Sequence, residues 1–334
     1  MREIPKHLSF DLPVLPTTTV GSFPKPPYLL EARRKFLDKQ MGNEELHALE
    51  QRATRDWVSQ QEELGLDVLV DGEMYRGDMT TYFANNLDGF EISGLVRSYG
   101  NRYYRKPIII DEVRWRGPIT VDWWKFSQGL TSRPVKAVVT GPYTMMDWSF
   151  NEYYPRRREA CLKLAEAVRQ EVKALSKAGA KIIQVDEPAI SARPEELKEF
   201  AIEAMKIVTK GVDAYFINHI CYGAFEFIYP EMLDLPVANF DLEMTNSELD
   251  LVELFHKYRF TKDLSFGVVD VHSHKVDDIA DIERRARQAL EVLKPDQLWI
   301  DPDCGLKTRT REETLDKLKN MVEVVSNVRA KLEK

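Results

Sequence analysis

Cysteine is scarce: Cys161, Cys221 and Cys304 are the only three in 334 residues. So few exclude a disulfide-stapled secreted scaffold and leave free thiols or metal ligands as their use. Long apolar runs are missing as well. No stretch reaches the ~18 apolar residues of a membrane span, and Met1-Arg2-Glu3-Ile4-Pro5 lacks the apolar region of a signal peptide, so a cytoplasmic protein without membrane contact is expected. Basic charge is not in excess. A formal net charge of −7 argues against a nucleic-acid partner, and the run Arg156-Arg157-Arg158 reads as a solvated helix face. Nor does a glycine-rich dinucleotide fingerprint follow the first strand signal, which weakens the case for a doubly wound open sheet.

What is present is a rhythm of strand and helix signals. Short β-branched or apolar runs begin at Thr17, Asp67, Lys136, Lys181, Ala214, Val237, Phe266 and Leu298, separated by segments with helical spacing such as Leu162, Leu164, Ala165, Val168, Val172 and Leu175. Eight strands alternating with helices predict a (β/α)8 barrel occupying residues 1–334 as one domain. Residues 85–117 break the rhythm, with Tyr103, Tyr104 and Ile108-Ile109-Ile110 between polar turns, and are expected to form a β-hairpin excursion.

Chemistry-bearing residues gather where such a barrel would use them. His219 and Cys221, one residue apart at the end of an apolar run, share a face if the strand continues through them. Cys304 follows another strand signal in Asp301-Pro302-Asp303-Cys304-Gly305. One histidine and two cysteines make three-quarters of a tetrahedral zinc site, and Asp241 or Glu243, the latter nearer the strand's C-terminal end, would complete it. Ser22, Glu73, Asp186, Asp270 and His272 also fall at or just past predicted strand ends, the rim that carries active sites in this fold. Cys161, Trp123 and Trp124 read as core, and Glu187 and Asp303 as braces for turns and neighbouring ligands.

The motifs Thr19-Val20-Gly21-Ser22-Phe23-Pro24, Asp71-Gly72-Glu73, Gly141-Pro142-Tyr143-Thr144 with Trp148-Ser149-Phe150, Gln184-Val185-Asp186-Glu187-Pro188-Ala189, Asp270-Val271-His272-Ser273 and Asp301 to Arg309 resemble the catalytic half of cobalamin-independent methionine synthase. The resemblance runs in order over about 15–330, and the chain is similar to short forms that lack the second, N-terminal barrel of the long enzymes. It implies one zinc on His219, Cys221, Glu243 and Cys304, with L-homocysteine as methyl acceptor. It also implies that Glu73 and Asp186 hold the substrate amino group, that the backbone of Val20, Gly21 and Ser22 meets its carboxylate, and that His272 donates a proton. Elementary chemistry agrees: two carboxylates suit an ammonium, and amides in a glycine turn suit a carboxylate.

Zinc carrying two thiolates and a carboxylate sums to −1, a poor Lewis acid towards carbonyls but a good holder of an electron-rich substrate thiolate. Attack of that sulfur on a methyl group is the reaction expected, with Glu243 the ligand to yield as substrate sulfur arrives. For the methyl donor, Arg102, Tyr103 and Trp148 match positions that touch methyltetrahydrofolate in the long enzymes. Tyr103, however, replaces their usual cysteine, and Ala192 stands where they carry a folate-contacting acid. The expectation is therefore a methylated corrinoid, free methylcobalamin or a corrinoid protein. A methyl-pterin, methyltetrahydrofolate or methyltetrahydromethanopterin, is the alternative. Outside methionine formation, the remaining readings are a zinc alkyltransferase for another thiol such as coenzyme M, and a partner-dependent subunit with structural zinc.

Overall fold

The computed structural model describes residues 12–97, 103–221, 225–245 and 250–332. Nine strands are assigned among them: β1 Leu87–Arg97, β2 Tyr103–Trp115, β3 Ala137–Thr140, β4 Phe150–Asn151, β5 Ile182–Asp186, β6 Tyr215–Ile220, β7 Asn239–Leu242, β8 Asp263–Val269 and β9 Leu298–Pro302. Six of them form one sheet in the order β3-β5-β6-β7-β8-β9. The pairs β3–β5, β5–β6 and β8–β9 are parallel and the strands are buried along their whole length, as expected of strands covered on both faces. The chain divides into two compact units, one of residues 1–75, 123–136 and 241–334, the other of 76–122 and 137–240.

In the first unit, two of the eight expected strands are shorter than the sequence predicts. Thr17 bridges Ile300, and Leu69 bridges Val135, each through a single parallel pair. Side chains take over the neighbouring ladder positions. The Thr17 amide donates to Asp67 Oδ2 at 2.8 Å, while Gln61 accepts from the Val70 amide and donates to its carbonyl, both at 2.9 Å. Backbone groups satisfied in this way have no call for a strand partner. Helix Asn43–Leu64 ends at Gly65 in the left-handed region, φ +90°, and the next segment enters the sheet at Leu66 with its amide still bonded to Gln61 O.

In the second unit, β3, β5 and β6 run side by side, and helix Arg157–Ala178 buries Cys161, Leu164, Ala165, Val168, Val172 and Leu175 on one face. This helix also stops at a left-handed glycine, Gly179, with Ala180 N bonded to Leu175 O. Burial pushes the Cys161 thiol well above its usual range, so it stays a neutral core group. The excursion is the expected antiparallel hairpin, with β1 on β2 and β4 added in parallel at Ile108 and Ile109. Two register shifts interrupt β1–β2, one of them at Gly89.

Candidate metal and substrate site

β6 runs on through His219 to Ile220, and Cys221 follows it directly. Strand alternation then brings both donors to one side, and both are buried, His219 2% and Cys221 5% exposed. The neighbouring strand ends in register: Asp186, the last residue of β5, pairs with His219. Gln184 Nε2 donates to Asp186 Oδ1 at 2.7 Å.

The ligand atoms of His219, Cys221 and Cys304 lie within 4.8 Å of one another. A tetrahedral zinc separates such donors by roughly 3.3–3.8 Å, so one ion needs only small side-chain adjustments to reach all three. One imidazole and two thiols, two of the three groups buried, fit zinc better than the oxygen-seeking cations. Glu243 stays outside this set of three. It is 7% exposed, and its Oε1 lies 3.3 Å from His272 Nε2. That carboxylate raises the His272 pKa above its ordinary value, against an opposing effect of partial burial.

The other predicted contacts fall on two tight turns. Ser22 bridges Gly72, and Phe23 N donates to Gly72 O at 3.1 Å, which sets Val20-Gly21-Ser22 beside the Asp71-Gly72-Glu73 turn. Glu73 is buried at 9% exposure and holds φ +57°. This left-handed backbone costs a non-glycine residue about 1–2 kcal/mol. Asp71 holds the turn by accepting from Glu73 N at 2.9 Å and Tyr75 Oη at 2.6 Å. Strain of this kind, stabilised by neighbours, is characteristic of sites kept for function.

Two buried carboxylates act as matching braces. Glu187 accepts from the amides of Tyr143 (3.0 Å) and Thr144 (2.7 Å) at the start of helix Pro142–Asp147, and its own amide donates to His219 O at 2.9 Å. Asp303 accepts from Met244 N (2.9 Å), Thr245 N (3.0 Å) and the Thr245 hydroxyl, just past Glu243 and just before Cys304. Each presses on a glycine. A Cβ on Gly141 would come within 2.2 Å of the Glu187 carboxyl, and one on Gly267 within 2.4 Å of Asp303 Oδ1. Burial lifts both acids to about 7.

On the expected donor side, Trp148 caps helix Pro142–Asp147 and is partly exposed. Tyr103 opens β2 at 62% exposure, and Arg102 lies outside the described residues. His274 is a surface group paired with Glu313 at 2.9 Å.

A cluster of one histidine and two thiols at the ends of parallel strands, able to hold a metal ion, is the rim arrangement of a β/α-barrel enzyme. The profile of the family described as cobalamin-independent synthase, catalytic domain, matches residues 15–327, and the chain belongs to this family of cobalamin-independent methionine synthases. It is 40% identical over 326 residues to a methionine synthase of Saccharolobus solfataricus, covering 97% of each chain. It is 41% identical over 335 residues to the 5-methyltetrahydropteroyltriglutamate–homocysteine methyltransferase of Bacillus licheniformis, covering 97% of this chain and 44% of that one. The solved B12-independent methionine synthase of Shewanella sp. W3-18-1, in complex with selenomethionine, superposes with a TM-score of 0.86 at 26% identity over 96% of this chain and 99% of that one. The fold is accordingly a TIM barrel.

These comparisons correct the expected methyl donor. A methylated corrinoid does not fit a family described as cobalamin-independent, nor a relative named for a methyl-pterin and matched across nearly the whole chain. The inference from Ala192 gave too much weight to one position. Ala192 ends the 3-10 turn Ile190–Ala192 and is exposed, and a carboxylate lost from an exposed rim removes little interaction energy. Among the described residues, no helix is long and apolar enough to cross a membrane.

Proposed function

We propose that the protein transfers the methyl group of a methyl-pterin, of the 5-methyltetrahydropteroyltriglutamate class, to the sulfur of L-homocysteine, giving L-methionine and the demethylated pterin. The observation that carries this reading is the convergence of His219, Cys221 and Cys304, with Asp186 paired to His219 on the neighbouring strand. In this reading zinc sits on those three residues with Glu243, and when bound it keeps a substrate thiol ionised near neutral pH.

The chain's own residues then do the rest. Glu73 and Asp186 receive the ammonium through charge-assisted hydrogen bonds, and the backbone turn at Val20-Gly21-Ser22 receives the carboxylate. Together they aim the sulfur at the methyl carbon. As the sulfur–carbon bond forms, the bond from that carbon to the pterin nitrogen breaks, and His272 supplies the proton the departing nitrogen needs. Its Nε2 lies 3.3 Å from Glu243 Oε1, which sets the ring beside the residues assigned to zinc. Trp148 and Tyr103 are assigned to the pterin. A thiol without an ammonium, such as coenzyme M, would forgo the charge-assisted bonds assigned to Glu73 and Asp186, which favours homocysteine over that alternative.

The test is to load the purified protein with zinc, supply L-homocysteine and 5-methyltetrahydropteroyltriglutamate, and follow methionine by mass spectrometry. Methionine should form with the wild type and be lost with Cys304→Ser. A zinc-loaded wild type that makes no methionine from this donor or from methyltetrahydromethanopterin would refute the proposal.

A further inference from the structure

Lys317 is a fully buried lysine on the inner face of helix Arg311–Leu332, in line with Thr314, Leu318, Met321 and Val325. A lysine so deep requires acceptors for its three ammonium protons, since an unpaired buried charge is strongly unfavourable. It has three. Nζ donates to Asp270 O at 2.9 Å, to Lys275 O, and to Asp277 Oδ2 at 2.9 Å.

Those acceptors are not scattered. Asp270 and Lys275 stand at the entry and exit of the turn that follows β8, and His272 lies between them. Asp277, 7% exposed at its side chain, is held on its other oxygen by Arg285 Nη1 at 3.0 Å, and this same guanidinium nitrogen anchors the strand at Val268 O at 2.8 Å. Asp277 Oδ1 also accepts from Asp270 N at 3.2 Å, and Asn320 Nδ2 donates to Asp277 O at 2.9 Å. Within the turn, Asp270 Oδ1 accepts from His272 N at 2.7 Å and Ser273 N at 3.3 Å. Both ends of the turn thus lead back to one ammonium or its carboxylate partner. The His272 ring is 31% exposed and reaches Glu243 Oε1 at 3.3 Å.

We infer that Lys317 is a positioning residue for the reaction: its ammonium clips the neck of the 270–277 turn and thereby sets the His272 ring against Glu243. The inference rests on the role given to His272 above. It adds a residue on the far side of the turn that touches neither substrate nor metal. A neutral side chain there would leave the Asp270 and Lys275 carbonyls and Asp277 Oδ2 without their shared cation, and the turn would loosen locally while the barrel persisted.

Lys317→Met and Asp277→Asn test this in two arms. The first is hydrogen–deuterium exchange on the intact protein without substrate. Amides of 268–278 should exchange at least about tenfold faster, with those of helix 157–178 unchanged. Unaltered exchange over 268–278, or acceleration spread evenly over both segments, would overturn the inference. So would loss of the fold in both variants, since the network would then be a core strut.

The second arm is steady-state kinetics. Here kcat should fall about tenfold or more, as expected when a reacting group is misplaced, with the KM for homocysteine within about twofold. In a His272→Asn background the Lys317→Met change should cost no more than about twofold further, because coupled residues are non-additive. A full additional loss in that background would show that Lys317 acts by another route. The exchange arm needs no methyl transfer, so it stands or falls apart from the functional reading.

Discussion

Replacing Glu187 with glutamine tests whether a buried acid braces the site in its protonated form at low pH. Glu187 is wholly buried, its pKa is lifted by burial to about 7, and the unfolded chain should return it to its ordinary value near 4.3–4.5. A folded pKa above the unfolded one means that the unfolded chain loses this proton first as pH rises. The stability Glu187 contributes is therefore fully present below about pH 4.5 and is lost as pH climbs through 7. Between pH 5 and pH 8 the loss amounts to roughly 2–3 kcal/mol.

Glutamine does not titrate, so Glu187→Gln removes this dependence while leaving every other ionisable group in place. It also sets an NH2 against one of the amides of Tyr143 and Thr144, which in the wild type donate to the two carboxyl oxygens, at a pH-independent cost of about 1–3 kcal/mol. Chemical denaturation of both proteins at pH 5 and pH 8 isolates the effect. The stability difference, wild type minus variant, should be larger at pH 5 and shrink by roughly 2–3 kcal/mol at pH 8. A difference that stays constant, or grows with pH, would refute the assignment of Glu187 as an acid held neutral by burial.

Other outcomes follow from the same geometry. Cys221→Ser and Cys304→Ser should each lower bound zinc well below one per chain by elemental analysis without abolishing folding, because both residues lie at strand ends. Full zinc occupancy in either variant would remove it from the ligand set. His272→Asn should lower kcat about 10²–10⁴-fold with the homocysteine KM little changed, and wild-type kcat would exclude it as proton donor. Glu73→Gly should relieve the left-handed strain and keep stability within about 1 kcal/mol of wild type or above it. The same variant should raise the homocysteine KM, by about tenfold or more, through loss of a charge-assisted bond; isothermal denaturation and initial rates read the two effects separately. Asp303→Asn should release the 244–245 turn and weaken zinc retention, read as faster loss of metal to a chelator, and an unchanged rate would show that the brace leaves the ligands unaffected.

Much of the barrel was legible because its causes are local. Short apolar or β-branched runs marked β5 and β6, helical spacing marked Arg157–Ala178, and the polar turns after strands marked the rim. His219 and Cys221 could be paired from the chain alone, since strand alternation fixes their common side. The shortness of the segments at Thr17 and Leu69 could not be read, because the groups that displace their ladder bonds, Asp67 and Gln61, act through side-chain geometry rather than through β-propensity. Lys317 left a fainter trace, a single cation among apolar residues at helical spacing. That trace marks an oddity without naming the three acceptors that explain it. The donor expectation fails for a related reason: departures at Tyr103 and Ala192 do not speak for a whole binding surface.

Alternation of strand and helix, the kinds of donor atom available and the strand side on which His219 and Cys221 stand were determined by the order of residues alone, because each depends on neighbours a few positions apart. Tertiary structure decided that Cys304 meets those two residues, that Glu243 engages His272 and that buried acids at 187 and 303 grip distant amides. Those contacts join residues far apart in the chain, and their separations are set by strand register, close approach at Gly141 and Gly267, and the desolvation that comes only with burial.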